Sequence, residues 1–120
     1  MDSNEGLKSI RVGLGIVVRQ HLVLICKRLK NDSFGGFWEF PGGKCNSDET
    51  PEQCVQRELF EEVAIRVTPM QALTPIPHAY PKVHVTLYPF ICRHDSGEPT
   101  ALCASELRWV PPKALLDFRF

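Results

Sequence analysis

Apolar residues come in short runs. Ile10–Val18 is rich in β-branched residues and predicts a strand, and a polar break at Arg19-Gln20 makes His21–Lys27 the returning arm of a hairpin. Leu29–Gly36 is polar and closes on Gly-Gly, as a loop does. Phe37–Phe40 predicts a short aromatic strand, stopped by Pro41-Gly42-Gly43, and Cys45–Glu49 a polar loop. At Thr50 the period changes. Thr50 suits an N-cap, Pro51 the first helical position, and Thr50-x-x-Gln53 forms a capping-box pattern, so a helix is expected from there to Val63. Further strands are expected at Ile65–Thr68, Ala72–Ile76, Val83–Cys92 and Glu106–Val110. Val83, Val85 and Leu87 alternate with His84 and Thr86, and Pro89 marks an edge or a bulge. Asp95–Pro99 reads as a turn and Pro112–Asp117 as a final helix. Strands, one long helix, more strands and a short helix predict an α+β chain, an α/β/α sandwich around a mixed β-sheet.

A length of 120 residues fits one domain, with Met1–Ser9 as a polar tail. Neither a 20-residue apolar span nor a signal-peptide core occurs, which points away from a membrane. Fourteen basic residues balance fourteen acidic ones, arguing against a large footprint for duplex nucleic acid but not against a small anion. The five cysteines are odd in number and lack a C-x-x-C pair, so neither a disulfide framework nor a zinc site is indicated. Cys26 and Cys92 fall within apolar runs as core residues, and a reducing cytoplasm is the expected compartment. The oligomeric state is left between monomer and homodimer.

The helix carries the candidate chemistry. At 100° per residue, Val55, Leu59 and Val63 form a buried stripe, while Glu58, Glu61 and Glu62 crowd its border. Such carboxylates repel one another, and the helix C-terminus disfavours anions. Arg57 reaches Glu61 at i, i+4 but cannot neutralise three glutamates. Oxygen ligands at this density suit a hard divalent cation, Mg²⁺ or Mn²⁺, although the same spacing also fits a solvated helix face. Gly42-Gly43 allows the backbone close to the helix, and Lys44 adds a cation suited to phosphate.

Gly43, five residues, Glu49, seven residues, then Arg57-Glu58-Leu59-Phe60-Glu61-Glu62-Val63-Ala64-Ile65 resembles the Nudix box, G-x5-E-x7-R-E-U-x-E-E-x-G-U, with U aliphatic. Only Ala64 departs, standing at the family's glycine. Phe37–Lys44 and Glu49–Gln53 resemble the MutT branch. The resemblance implies the Nudix fold and hydrolysis of a nucleoside triphosphate to monophosphate and pyrophosphate, as in sanitising 8-oxo-dGTP. It implies that the Gly42 carbonyl, Glu58, Glu61 and Glu62 hold Mg²⁺, that Arg57 orients the glutamates, and that Glu49 stabilises the loop–helix junction or assists at the metal. Glu58 is the favoured ligand to help deprotonate the water.

A later-loop glutamate of MutT aligns here with Cys103, while nearby Glu106 is out of register. Arg28, Ser33, Glu39 and Phe40 align with positions near the nucleotide; Gly43 and Lys44 join them as substrate contacts, and Phe40 or Tyr80 would stack on a base. The family's base-reading asparagine would lie just past Phe120, so preference for an oxidised purine rests on analogy. The alternatives are a pyrophosphohydrolase of RNA 5′ ends and a non-catalytic Nudix-fold nucleotide-binding module.

Overall fold

A computed structural model describes residues 8–31 and 35–120. Its elements are β1 (Lys8–Arg19), β2 (Leu22–Lys27), β3 (Trp38–Glu39), β4 (Gly42–Lys44), α1 (Pro51–Val63), β5 (Arg66–Ala72), β6 (Ile76–Tyr80), β7 (Val83–Ser96) and β8 (Glu106–Val110), then a 3₁₀ turn over Pro112–Asp117. All eight strands form one mixed sheet in the order β3-β2-β1-β7-β5, with β4 also on β1, β6 on β7 and β8 on β2. Among the described residues only β1 and β7 pair in parallel, from Lys8↔Val83 to Val18↔Arg93; the other pairs are antiparallel.

Adjacent strand residues point to opposite faces, and the core divides accordingly. On one face Leu24 joins Val17, Val55, Leu59, Val63, Ile65 and Phe90 beneath α1. On the other, Ile25 joins Trp38 and Val110 beneath Ala114, Leu115 and Phe118 of the C-terminal turn. Val55, Leu59 and Val63 are fully buried, as their spacing predicts. The helix rides on a glycine track in β1. A methyl group on Gly13 would stand 2.8 Å from Val55 Cγ2, and one on Gly15 2.6 Å from Leu59 Cδ2, so larger residues would lift α1 off the sheet.

The start of α1 forms as expected. Gln53 N–H donates to Thr50 Oγ1 at 3.2 Å and Thr50 N–H to Gln53 Oε1 at 2.9 Å. At its end Ala64 turns left-handed (φ 63°, ψ 29°), with its N–H on the Phe60 carbonyl at 3.1 Å.

Several boundaries move. Lys8 and Ser9 belong to β1 rather than to a tail, because Val83 and His84 pair with them. The hairpin turn is Gln20-His21, both at positive φ (50° and 64°), which matches the twist of a two-residue connection. Gly42–Lys44 is a short strand on β1 rather than a simple stop. The strand expected over Ala72–Ile76 is divided, with β5 ending at Ala72 and β6 beginning at Ile76. Pro89 lies inside central β7, not at an edge or in a bulge. Its carbonyl accepts from Leu73 N–H at 2.9 Å. A strand residue aims its N–H and C=O to the same side, so the donor that proline lacks would face the β5–β6 connection, where no ladder needs it. The terminal helix is 3₁₀, six residues long without a side-chain cap, too short for a stable α-helix.

Candidate active site

Arg57 lies in the second turn of α1, facing the loop that enters the helix. All five of its N–H donors are engaged. Nε and Nη2 grip Glu49 side-on at 3.0 and 2.6 Å, Nη1 donates to Glu58 Oε1 at 2.7 Å and Glu61 Oε2 at 3.0 Å, and Nη2 also donates to the Lys44 carbonyl at 2.9 Å. The fork holds Glu49 well below the usual carboxylate range, at about 2, chiefly through its hydrogen bonds, and Glu49 in turn keeps the guanidinium firmly cationic. Glu49 Oε1 also accepts the Asn46 N–H at 2.7 Å. Its place is therefore the loop–helix junction.

The carboxylates differ in setting. The Glu61 side chain is 57% exposed and that of Glu58 19%, with Glu58 lying over Gly43 where any side chain would collide with it. Glu62 lies deeper and accepts the Gly42 N–H at 3.3 Å. Burial, assisted by repulsion from Glu39 and Glu58, pushes its carboxyl up to about 7. Glu39, on β3, brings a carboxylate oxygen within 4.8 Å of Glu62 and of the buried Cys26 thiol. The sequence placed Glu39 with the nucleotide; its approach to Glu62 depends on the Cys26↔Glu39 register, which residue spacing does not reveal.

Arg28 pairs with Glu39 at 2.9 Å and lines a cleft of about 790 Å³ with Lys27, Lys30, Asn31 and Ser105. Ser33 lies outside the described residues. Phe40 is half-buried against the second core, its ring 5.6 Å from that of Phe120. Tyr80 ends β6, pairs with Val83, and its ring lies 4.5 Å from that of His78. Leu102 N–H donates to the Glu62 carbonyl at 3.2 Å and Thr100 N–H to that of Val63 at 2.9 Å, tying the loop with exposed Cys103 to the end of α1. Glu106 is engaged by Arg108 at 2.5 Å.

Five carboxylates (Glu39, Glu49, Glu58, Glu61, Glu62) thus meet two guanidinium groups, leaving an excess of negative charge beside a turn stripped of side chains. With Glu49 committed to Arg57, the remaining donors are the Glu39, Glu58, Glu61 and Glu62 carboxylates, with the buried Cys26 thiol beside Glu39 and Glu62; carboxylate oxygens suit a hard divalent cation.

A family model for the NUDIX domain matches residues 13–120, and the chain belongs to that family: it is a Nudix hydrolase, acting on phosphoric anhydrides. It is similar to an 8-oxo-dGTP diphosphatase of Proteus vulgaris, 40% identical over 94 residues, covering 78% of this chain and 84% of the relative. Among solved structures it resembles MutT from Aliivibrio salmonicida and Vibrio cholerae (33% identity, TM-score 0.74, 94% of this chain and 88% of that one). It also resembles the Escherichia coli ORF135 protein (27% identity, TM-score 0.81, 95% and 81%). Nudix hydrolases use a divalent metal ion and this one acts on nucleotides. No helix among the described residues is long and apolar enough to cross a membrane.

Proposed function

We propose that the chain is a Mg²⁺-dependent nucleoside triphosphate pyrophosphohydrolase, (d)NTP + H₂O → (d)NMP + diphosphate, working in the cytoplasm on oxidised nucleotides such as 8-oxo-dGTP. The observation that carries this reading is the five-donor engagement of Arg57, which ties Glu58 to Glu61, while Glu58 lies over Gly43 and Glu62 accepts the Gly42 N–H. The Gly42 carbonyl, Glu58, Glu61 and Glu62 would hold Mg²⁺, or Mn²⁺ in its place. The metal when bound neutralises phosphate charge and lowers the pKa of water. Glu58 is the base candidate, since Arg57 bonds only its Oε1. The basic cleft beside Arg28 has the volume to take a nucleoside, with Glu39 paired to Arg28 and Phe40 next to it in the chain; by family resemblance Ser33, Gly43 and Lys44 are further substrate contacts and Tyr80 is a base-stacking candidate. The oxidised purine is supported by the Proteus vulgaris relative's activity.

The test is diphosphate release with Mg²⁺ over a panel of unmodified, oxidised and methylated (d)NTPs and a triphosphorylated RNA. The reading expects 8-oxo-dGTP to give the highest kcat/KM. Preference for the RNA would transfer the activity to 5′-end processing, and no turnover at all would leave a binding module. Glu58→Gln is expected to fold normally and lose turnover.

A further inference from the structure

We propose that Cys45 and Cys54 form a dithiol modification site that reacts with a small anionic disulfide and closes to a reversible Cys45–Cys54 bridge, governing how Arg57 is held. Their sulfurs and a Glu49 carboxylate oxygen lie within 4.8 Å of one another. Both cysteines are free, Cys54 buried on α1 and Cys45 half-exposed in the loop after β4. Neither is a ligand or a catalytic group of the hydrolytic site described above, which Cys54 only borders, its thiol donating to the Gly43 carbonyl at 3.5 Å. The two have different access. Cys45 opens on a cleft of about 530 Å³ lined by Lys8, Arg11, Lys44 and Ser47 and, among the described residues, by no acidic one. A small disulfide bearing carboxylates fits that charge, as three cations concentrate anions locally.

Glu49 does not make this a metal centre. Both its oxygens are committed to Arg57, and one also accepts the Asn46 N–H. A soft cation would have to break the fork to gain a third ligand. Two thiols without a free third donor favour sulfur–sulfur bonding instead.

The order of attack follows from burial. Desolvation, with a hydrogen bond to Cys45, pushes the Cys54 thiol up to about 12, so Cys45 reacts first. Its thiolate attacks one sulfur of the reagent, forming a mixed disulfide and releasing one thiolate, which takes the proton from Cys54. The Cys54 thiolate then attacks the Cys45 sulfur and expels the second thiolate. Two electrons pass to the reagent, which leaves as two thiols.

The bridge reaches the active site through the backbone on either side of Cys45. The Lys44 carbonyl accepts from Arg57 and the Asn46 N–H donates to Glu49. Drawing the Cys45 sulfur onto α1 shifts both groups, and with them the guanidinium that positions Glu58 and Glu61.

The test incubates the reduced enzyme with glutathione disulfide (anionic), hydroxyethyl disulfide (neutral) and cystamine (cationic), then alkylates and maps peptides by mass. The expected result is a Cys45–Cys54 cross-link formed fastest with the anionic reagent, with the rate falling as salt rises, reversed by dithiothreitol and absent in Cys45→Ser. Persistence of a mixed disulfide on Cys45, reaction at Cys103 alone, or faster reaction with cystamine would overturn it. So would stoichiometric Zn²⁺ that protects both thiols from alkylation while no bridge forms. This readout needs no substrate and stands apart from the proposed activity. A second arm rests on that activity: bridging is expected to lower nucleotide turnover at least tenfold in the wild type, while Cys45→Ser keeps its rate under the same treatment.

Discussion

The Glu58 carboxylate lies over the α-carbon of Gly43, in the space where any side chain on residue 43 would have to go. The glycine of the turn and the glutamate of the helix are one feature, since the first leaves the second its position. Gly43→Ala is therefore expected to keep the fold yet push Glu58 aside, lowering turnover about 100-fold, as misplacing a reacting group by an ångström does. Circular dichroism and kcat measured together check this; near-wild-type turnover in a folded variant would separate Gly43 from Glu58.

Arg57→Lys keeps the charge and loses the fork. A lysine has three donors on one nitrogen and cannot span Glu49, Glu58, Glu61 and the Lys44 carbonyl at once. Metal affinity or kcat is expected to fall about 10–100-fold, the usual cost of removing a group that orients metal ligands. Mg²⁺ titration of the rate reads both; unchanged constants would show that charge alone suffices.

Ala64 occupies a left-handed position. A Cβ there costs about 1 kcal/mol, so Ala64→Gly is expected to stabilise the chain by that amount without altering kcat. Urea unfolding gives the answer, and a destabilised variant would mean that Ala64 contributes packing outweighing its strain.

The same physics applies at the β1–β2 turn. With both central residues at positive φ, replacing Gln20-His21 by Asn-Gly is expected to add about 1–2 kcal/mol. Equal midpoints of thermal unfolding in variant and wild type would count against the two-residue turn.

Glu62 couples proton and metal. In the metal-free protein its carboxyl is raised to about 7 by burial, whereas an unfolded glutamate titrates near about 4.3. The folded chain holds the proton more tightly. The stability gained is full below the unfolded value and is lost as pH rises through about 7. Divalent metal requires the carboxylate, so its affinity should rise over the same window and its binding should release a proton. Unfolding free energies with chelator from pH 5 to 8 should show a decline in wild type that Glu62→Gln lacks. Parallel pH profiles for the two proteins would exclude Glu62 as the source.

Much of this was written locally. The capping box, the Val55/Leu59/Val63 stripe and the glutamates beside it follow from helical periodicity and backbone sterics, which act between residues close in the chain. The Nudix resemblance added the metal and the reaction to that reading. Longer-range features depended on strand register and helix docking. Pro89 reads as an edge signal until β7 is seen to change antiparallel partners beside it. Glu39 reaches Glu62, and Cys45 reaches Cys54, only once β3 and β4 are placed. Arg57 showed one partner in sequence, Glu61, and has five bonds in the fold, because Glu49 and Lys44 come to it by the folding of a loop. Periodicity specifies which face of an element is buried; which distant side chains meet across that face is decided by packing the whole sheet against α1.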